Sequence, residues 1–297
     1  MNAIRILSDL HIDINNGYPL SWNNKEIFTI IAGDTSGDPK QAVNWINRHF
    51  KKGIVISGNH IVYNDKNLTI QELREIYAKA FPIKSKISYL DCLTNDGFFT
   101  KEVDGILFVG STLYTNFRLS IDGQANIEDN LYWASKLSND YYWGFIKDSR
   151  LNSIRKLRPT DILEFFKITI QRFKEAIEIA EKENPEKPIV VITHYTPSIK
   201  CIASHYVDDE IISSYASNLE QFILDHKNIK LWICGHSHNQ TTFKVGECRI
   251  VMNPRGYCMD HQDVNFDKDL LVDTKTWEVI RSDWKSDSWR LTHNARH

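Results

Sequence analysis

Eight side chains suited to metal and proton chemistry fall in five short groups: Asp9-x-His11, Gly33-Asp34, Gly58-Asn59-His60, His194 and Gly235-His236-x-His238. Imidazole and carboxylate together suit zinc, manganese or iron. Each group alone says little, because a lone Gly-Asp is common and a lone histidine after a strand is more often structural. Asp-x-His and Gly-His-x-His say more. Residues i and i+2 just beyond a strand converge on one ion when the backbone turns there. The glycines before Asp34, Asn59 and His236 permit backbone geometries that a side chain would forbid. All five groups in one chain leave little room for a collection of unrelated structural residues.

The elements that must position these residues are short and β-rich. Ile4–Leu7, Ile27–Ala32, Ile54–Ser57, Ile106–Val109, Ile189–Thr193 and Leu231–Cys234 read as strands buried on both faces. Five of these six runs end at a ligand group, the carboxyl edge where crevices form in α/β sheets. The sixth leads into Gly110-Ser111-Thr112. Helical spacing appears over Thr69–Ala80 and most clearly over Asp161–Glu183, which Pro185 and Pro188 close. Strands alternating with helices predict a layered α/β domain. Thr242–Val245, Arg249–Met252, Leu270–Asp273 and Glu278–Arg281 read as antiparallel strands, so the sheet should be mixed. The stretch at about 115–160 breaks the alternation. It holds Phe117, Tyr132, Trp133, Tyr141, Tyr142, Trp143 and Phe145 and reads as an insertion within a single domain spanning 1–297. Its aromatics either pack on the core or form a cap that touches substrate.

The order D-x-H, GD, GNH, H, GHxH resembles the signature of the calcineurin-like metallophosphoesterase superfamily, and the likeness runs from Asp9 to His238. Gly110–Tyr114 and Asn253–Tyr257 further resemble segments of a bacterial and phage branch whose substrates are poorly defined. The resemblance implies a four-layer αββα sandwich with two mixed central sheets flanked by helices. It implies that Asp9, His11 and His238 bind one metal, that Asn59, His194 and His236 bind a second, and that Asp34 bridges them. His60 would leave the metals alone, face the substrate phosphate and protonate the leaving group.

The chemistry these roles imply is hydrolysis of a phosphate ester. Two cations about 3.5–4 Å apart clamp the attacking and leaving oxygens of an in-line displacement. A water bridging them loses a proton near neutral pH, since even one zinc lowers a bound water's pKa to about 7. The resulting hydroxide attacks phosphorus opposite the leaving oxygen, and the ions stabilise the developing charge. Asn59 contributes a neutral oxygen, so the site keeps positive charge for an anionic substrate. Imidazole titrates near neutral pH, which suits His60 to proton donation. Manganese is the first expectation for the metal, with iron, zinc, nickel and cobalt as alternatives.

Departures from the pattern narrow the reading. Ile61 stands where relatives often carry an acid, and arginines typical of phosphoprotein phosphatases are missing beside Asp34 and His60. Those phosphatases place an aspartate three residues after the bridging one. Here Asp38 lies four after Asp34, and a plain turn aspartate is its simpler reading. Tyr195 is a candidate pocket residue after His194. Asn253 and Arg255 follow a late strand, and Arg255 is a candidate phosphate fork. His205 and His261 read as surface histidines, and His49, His226, His293 and His297 have no motif around them.

Charge and composition exclude little else. A formal net charge of −2 gives no global basic field for nucleic acid. A nuclease remains the rival reading, because Lys147, Arg150, Arg155, Lys156 and Arg158 sit near Tyr141–Phe145. A non-catalytic scaffold would be expected to have lost ligands, and this chain has kept them all. The five cysteines form no CxxC pair, the N-terminus lacks a long apolar stretch, and no run is long enough to span a membrane. A cytoplasmic enzyme acting on a phosphate ester, with nucleotides among the candidate substrates, is the resulting expectation.

Overall fold

The structure is a computed structural model and describes residues 1–15, 19–63, 67–119, 126–258 and 265–280. Its strands in chain order begin β1 (Ala3–Leu7), β2 (Phe28–Ala32), β3 (Gly53–Ile56), β4 (Ile87–Tyr89), β5 (Thr100–Val103) and β6 (Ile106–Ser111). They continue with β7 (Phe145–Asp148), β8 (Ser153–Lys156), β9 (Ile189–Thr193), β10 (Ile229–Cys234), β11 (Thr241–Val245), β12 (Cys248–Met252) and β13 (Leu271–Asp273). The helices are α1 (Pro39–His49), α2 (Ile70–Ala80), α3 (Ile127–Leu137), α4 (Asn139–Trp143), α5 (Pro159–Glu183) and α6 (Glu220–Asp225).

Two mixed sheets form the centre. One runs β13-β1-β2-β3-β4, parallel except for β13. The other runs β11-β12-β10-β9-β6-β5, parallel across its four central strands and antiparallel at both edges. Period-two alternation decides which face each side chain serves. Ile4, Ile6, Ile30, Ile54 and Ile56 of the first sheet meet Phe108, Val190, Ile192, Leu231, Ile233 and Val251 of the second in one apolar layer. Their neighbours Leu7, Ile31 and Val55 point the other way, into a core with Ala42 and Ile46 of α1 and Leu73 and Tyr77 of α2. On the outer face of the second sheet, Val109, Val191, Trp232 and Cys234 pack with Phe166, Phe173 and Ile177 of α5 and Ile223 of α6. The layers are therefore helix, sheet, sheet, helix, as the resemblance implied.

Local signals explain the helix ends. Thr69 and Glu72 form a reciprocal capping box at the start of α2. Asp38 accepts backbone N–H groups of Lys40 and Gln41 and so caps α1, which settles its turn-aspartate reading. Pro159 occupies the first turn of α5, and the helix runs 25 residues to Glu183. Arg74 of α2 is fully buried and ion-pairs with Asp91 at 3.1 Å. Asp91 also accepts from the hydroxyls of Tyr89 and Ser111, so the buried charge is surrounded by partners.

Two expectations are corrected, and a third falls outside the described residues. Glu278–Arg281 does not form a strand: Val279 makes one isolated bridge to Val272, and Arg281 lies outside the described residues. His261 and the tail with His293 and His297 also lie outside them. The aromatics of the 115–160 stretch follow neither single account. Phe117 is fully buried, Tyr141 packs on the core, and Tyr132, Trp133, Tyr142 and Trp143 face solvent. All five cysteines are free. No described helix is long and apolar enough to cross a membrane.

Candidate metal centre

Seven ligand-type residues and His60 converge where strands of both sheets end. Asp9 and His11 follow β1, Asp34 follows β2, and Asn59 and His60 follow β3. His194 follows β9, while His236 and His238 follow β10. The first sheet supplies five of these residues and the second sheet three.

The backbone turns sharply to aim these groups. Asp9, His11, Asp34, His236 and His238 have φ of 50°, 41°, 49°, 73° and 48°, in the left-handed region that non-glycine residues seldom adopt. Each such residue costs roughly 1 kcal/mol or more, and five together in one site point to a functional constraint. The glycines act in two different ways. Gly33 has φ +91°, so its conformation itself favours glycine. Gly58 and Gly235 are needed for close approach. A Cβ on Gly58 would lie 1.9 Å from Asp34 Oδ1, and one on Gly235 would lie 2.4 Å from Asp9 Oδ2.

Donor atoms are close enough to share ions. His11 Nε2 lies 3.1 Å from His238 Nε2, which lies 3.4 Å from Asp9 Oδ1. His194 Nε2 lies 3.0 Å from both Asp34 Oδ2 and Asn59 Oδ1, and Asn59 Oδ1 lies 3.1 Å from His236 Nδ1. Asp9 Oδ1 and His194 Nε2 are 4.0 Å apart, so the two subsets form one cluster. Asp9, His11, Asp34, Asn59 and His194 are all buried.

These atoms fit divalent cations. Facing imidazole nitrogens at 3.1 Å share at most one proton when neutral, and Asp9 Oδ2 is buried without a hydrogen-bond partner. Cations satisfy both deficits. His194 Nδ1 meets the carbonyl oxygen of Ala32 at 2.9 Å, which directs Nε2 inward. The backbone N–H of His236 donates to Asp9 Oδ1, and the backbone N–H of His60 donates to Asp34 Oδ1.

The charges within the cluster also oppose one another's burial. Burial alone would raise the Asp34 carboxyl; the opposing charge of His194 and His60 holds it well below the usual carboxylate range. Asp9 is held low in the same way, against its burial, by a hydrogen bond from His238 and the charge of His194. Burial disfavours the charged form of His194, yet Asp34 outweighs it and pushes the pKa up to about 9. His236 goes the other way, to about 3, through burial and the neighbouring charge of His194.

His60 lies beside this cluster. Its Nε2 is 3.9 Å from Asp34 Oδ2 and 3.0 Å from the hydroxyl of Tyr257. His11, Asp34 and His60 are close enough to hold an ion as a trio, so distance alone does not separate ligand from proton donor. Both His60 and Tyr257 line a cavity of about 640 Å³ that opens from the cluster.

Two residues of the site had no motif to announce them. Asp140, on α4 of the insertion, accepts from Asn59 Nδ2 at 2.9 Å and from the Tyr63 hydroxyl at 2.6 Å through Oδ1. Its Oδ2 accepts from the Tyr195 hydroxyl at 3.2 Å. Asp140 thereby turns the amide so that its oxygen faces His194 and His236. Tyr257 is the other; it lies within the Asn253–Tyr257 likeness, but nothing in the sequence linked its hydroxyl to His60.

The remaining candidates divide. Tyr195 lines the cavity and stacks on His236, with ring centres 4.0 Å apart. Arg255 is buried and does not line the cavity; its guanidinium has a side-chain contact with Cys258. Asn253 ties the carbonyl oxygens of Ile6 and Asp267 together and is structural. His205 is exposed and sits at the cavity lining. The basic residues of the insertion lie elsewhere. They fall on or around the β7–β8 hairpin, which meets α2 through Phe145 and Lys147, and none of 145–158 lines the cavity. Arg155 is neutralised there by Asp148 and Asp161.

Comparisons with known proteins bear on the fold and the family. A solved phosphopantetheinyl hydrolase (PptH) from Mycobacterium tuberculosis has the same fold, with a TM-score of 0.65 at 14% identity over 87% of this chain and 90% of that one. A putative 5'-nucleotidase from Staphylococcus aureus gives a TM-score of 0.45 at 16% identity, over 86% of this chain and 49% of that one. No curated protein matches the sequence. The family model of calcineurin-like phosphoesterases matches residues 4–240, which takes in every candidate ligand from Asp9 to His238, and the chain belongs to that family.

Proposed function

We propose that the protein is a two-metal phosphoesterase that hydrolyses phosphomonoesters or small phosphodiesters. The observation that carries this reading is the convergence of Asp9, His11, Asp34, Asn59, His194, His236 and His238 in one cluster at the floor of a cavity. Asp9, His11 and His238 would hold one cation, Asn59, His194 and His236 the other, and Asp34 both. When bound, the two cations supply Lewis acidity that acidifies a water and neutralises charge on the phosphoryl oxygens. The set suits manganese first and iron, zinc, nickel or cobalt as substitutes.

The chain's own residues position and protonate. Asn59 brings an oxygen without a charge, so the site retains attraction for an anionic phosphoryl group. Asp140 keeps that oxygen turned inward. Hydrolysis joins a water oxygen to phosphorus as the opposite phosphorus–oxygen bond breaks. The departing oxygen needs a proton, and His60, which lines the cavity beside Tyr257, would give it. The basic residues near 147–158 lie away from the cavity, which disfavours a nucleic-acid strand as the substrate.

An activity panel on manganese-loaded protein tests this. It compares an aryl phosphate, an aryl phosphodiester, cyclic mononucleotides, dinucleotide polyphosphates, a phosphopeptide and single-stranded DNA. Metal-dependent cleavage of an ester in the first three classes is the expected result. Cleavage of DNA alone, or of nothing, would overturn the assignment.

A further inference from the structure

The metal cluster occupies only the floor of the cavity, and what stands above it is aromatic. A run of rings leads outward from a candidate ligand. His236 stacks on Tyr195 and lies 5.9 Å from the Tyr215 ring, which lies 6.4 Å from Tyr206, which in turn lies 4.1 Å from His205. Leu137 and Tyr141, from the bend between α3 and α4, and Ile202 and Ile211 also line the space. Tyr206 and Leu137 are exposed, at 37% and 50%, although neither contributes to a packed core. Neutral hydrogen-bonding groups are interspersed: Ser138, Asn139, Ser214 and Asn239. Among the described residues, the lining contains no lysine or arginine.

We propose that this ring-lined space is a subsite for the organic part of the substrate, and that it takes a planar, uncharged ring system carried, directly or through a sugar, on the alcohol of a single phosphoryl ester. The inference rests on the phosphoesterase reading and adds the identity of what is carried on the phosphate. Ring faces in series reward stacking of a flat group, and such stacking tolerates different rings because each has a π-face. Amide and hydroxyl groups between the rings match the polar edges of a heterocycle. Among the described lining residues a second phosphoryl group would meet no lysine or arginine, so polyphosphates should gain little from the subsite. A volume of about 640 Å³ is in the range that encloses a small organic ligand.

The test uses pairs that differ only in the ring. A purine nucleoside 5'-monophosphate and ribose 5-phosphate share a leaving oxygen, and so do their methyl diesters. On the full-length manganese-loaded protein, the ring-bearing member of at least one pair should be cleaved with a kcat/KM at least tenfold higher. Tyr206→Ala and Leu137→Ala should each reduce that ratio, by about tenfold for the tyrosine, in line with stacking contributions measured by alanine substitution. A readout without turnover accompanies it. Calorimetric titration of metal-free protein with the purine nucleoside should show binding that weakens in Tyr206→Ala. A ratio near one, or a ratio and nucleoside binding unchanged in both variants, would overturn the subsite while an active aryl-phosphate control keeps the phosphoesterase reading intact. Loss of the aryl-phosphate control as well would instead remove the reading on which the subsite rests.

Discussion

The amide of Asn59 has an oxygen and a nitrogen of nearly equal size, and only its partners fix which one faces His194 and His236. Asp140 settles this by accepting from the nitrogen, and an acceptor of this kind behind a ligand typically changes metal affinity by about 10- to 100-fold. Asp140→Ala should therefore weaken metal binding by about that factor, while Asp140→Asn, which keeps one acceptor oxygen, should fall between. A chelator-competition titration measures both, and equal affinity in all three proteins would show that Asn59 orients itself. His60 belongs to the same scale. His60→Ala should retain metal yet lose about 10²–10⁴-fold of turnover on esters with poor leaving groups, the usual range for general acid catalysis. An activated aryl phosphate needs less protonation and should suffer less; equal losses on both esters would defeat the donor assignment. The candidate ligands were legible because all but Asp34 and His194 lie within two residues of another such side chain, and each follows an apolar run. Asp140 was not, because a lone aspartate among aromatic residues has no pattern, and its contact spans 81 residues of chain.

Elements show the same division between local and distant information. The strands ending at Asp9, Asp34, Asn59, His194 and His236 stood out as continuous apolar runs, since both faces of each sheet are covered. α1 escaped notice, although Asp38 caps it and its apolar residues Ala42 and Ile46 lie four apart on the buried face. Short edge elements such as β4 and the β7–β8 hairpin depend on what they pack against rather than on their own composition. Two predictions belong here. Gly58→Ala would push a methyl group into Asp34 Oδ1, so metal content should fall with circular dichroism little changed; full occupancy would mean that the β3 turn yields at little cost. Arg74→Met would leave Asp91 buried without its charge partner, which costs about 3–5 kcal/mol in comparable sites. Denaturant unfolding reads that loss, and a change below 1 kcal/mol, a value set by the roughly 0–1 kcal/mol of ordinary surface pairs, would show that Tyr89 and Ser111 suffice for Asp91.

At the scale of the whole molecule, the two sheets meet mainly through hydrocarbon: Ile6, Ile30 and Ile54 face Val190, Ile192 and Ile233. Polar links cross nearer the margins, such as Lys101 to Ser88 and Asn253 to the Ile6 carbonyl oxygen, and the candidate metal centre lies where the strands end. Cations held by the cluster would bind the folded chain and not the unfolded one, so manganese at about 100 times its dissociation constant should add about 2.7 kcal/mol of stability. Thermal unfolding with manganese and with chelator measures this, and coincident midpoints would contradict a site formed only by folding. The seam has a mechanical consequence as well. An apolar interface resists separation but opposes sideways slip weakly, whereas a cation gripped by Asp34 from one side and His194 from the other resists both. Loading the centre would then act as a rivet through the sandwich, and amide exchange should slow along β2 and β9 together, far beyond the atoms that touch the ion.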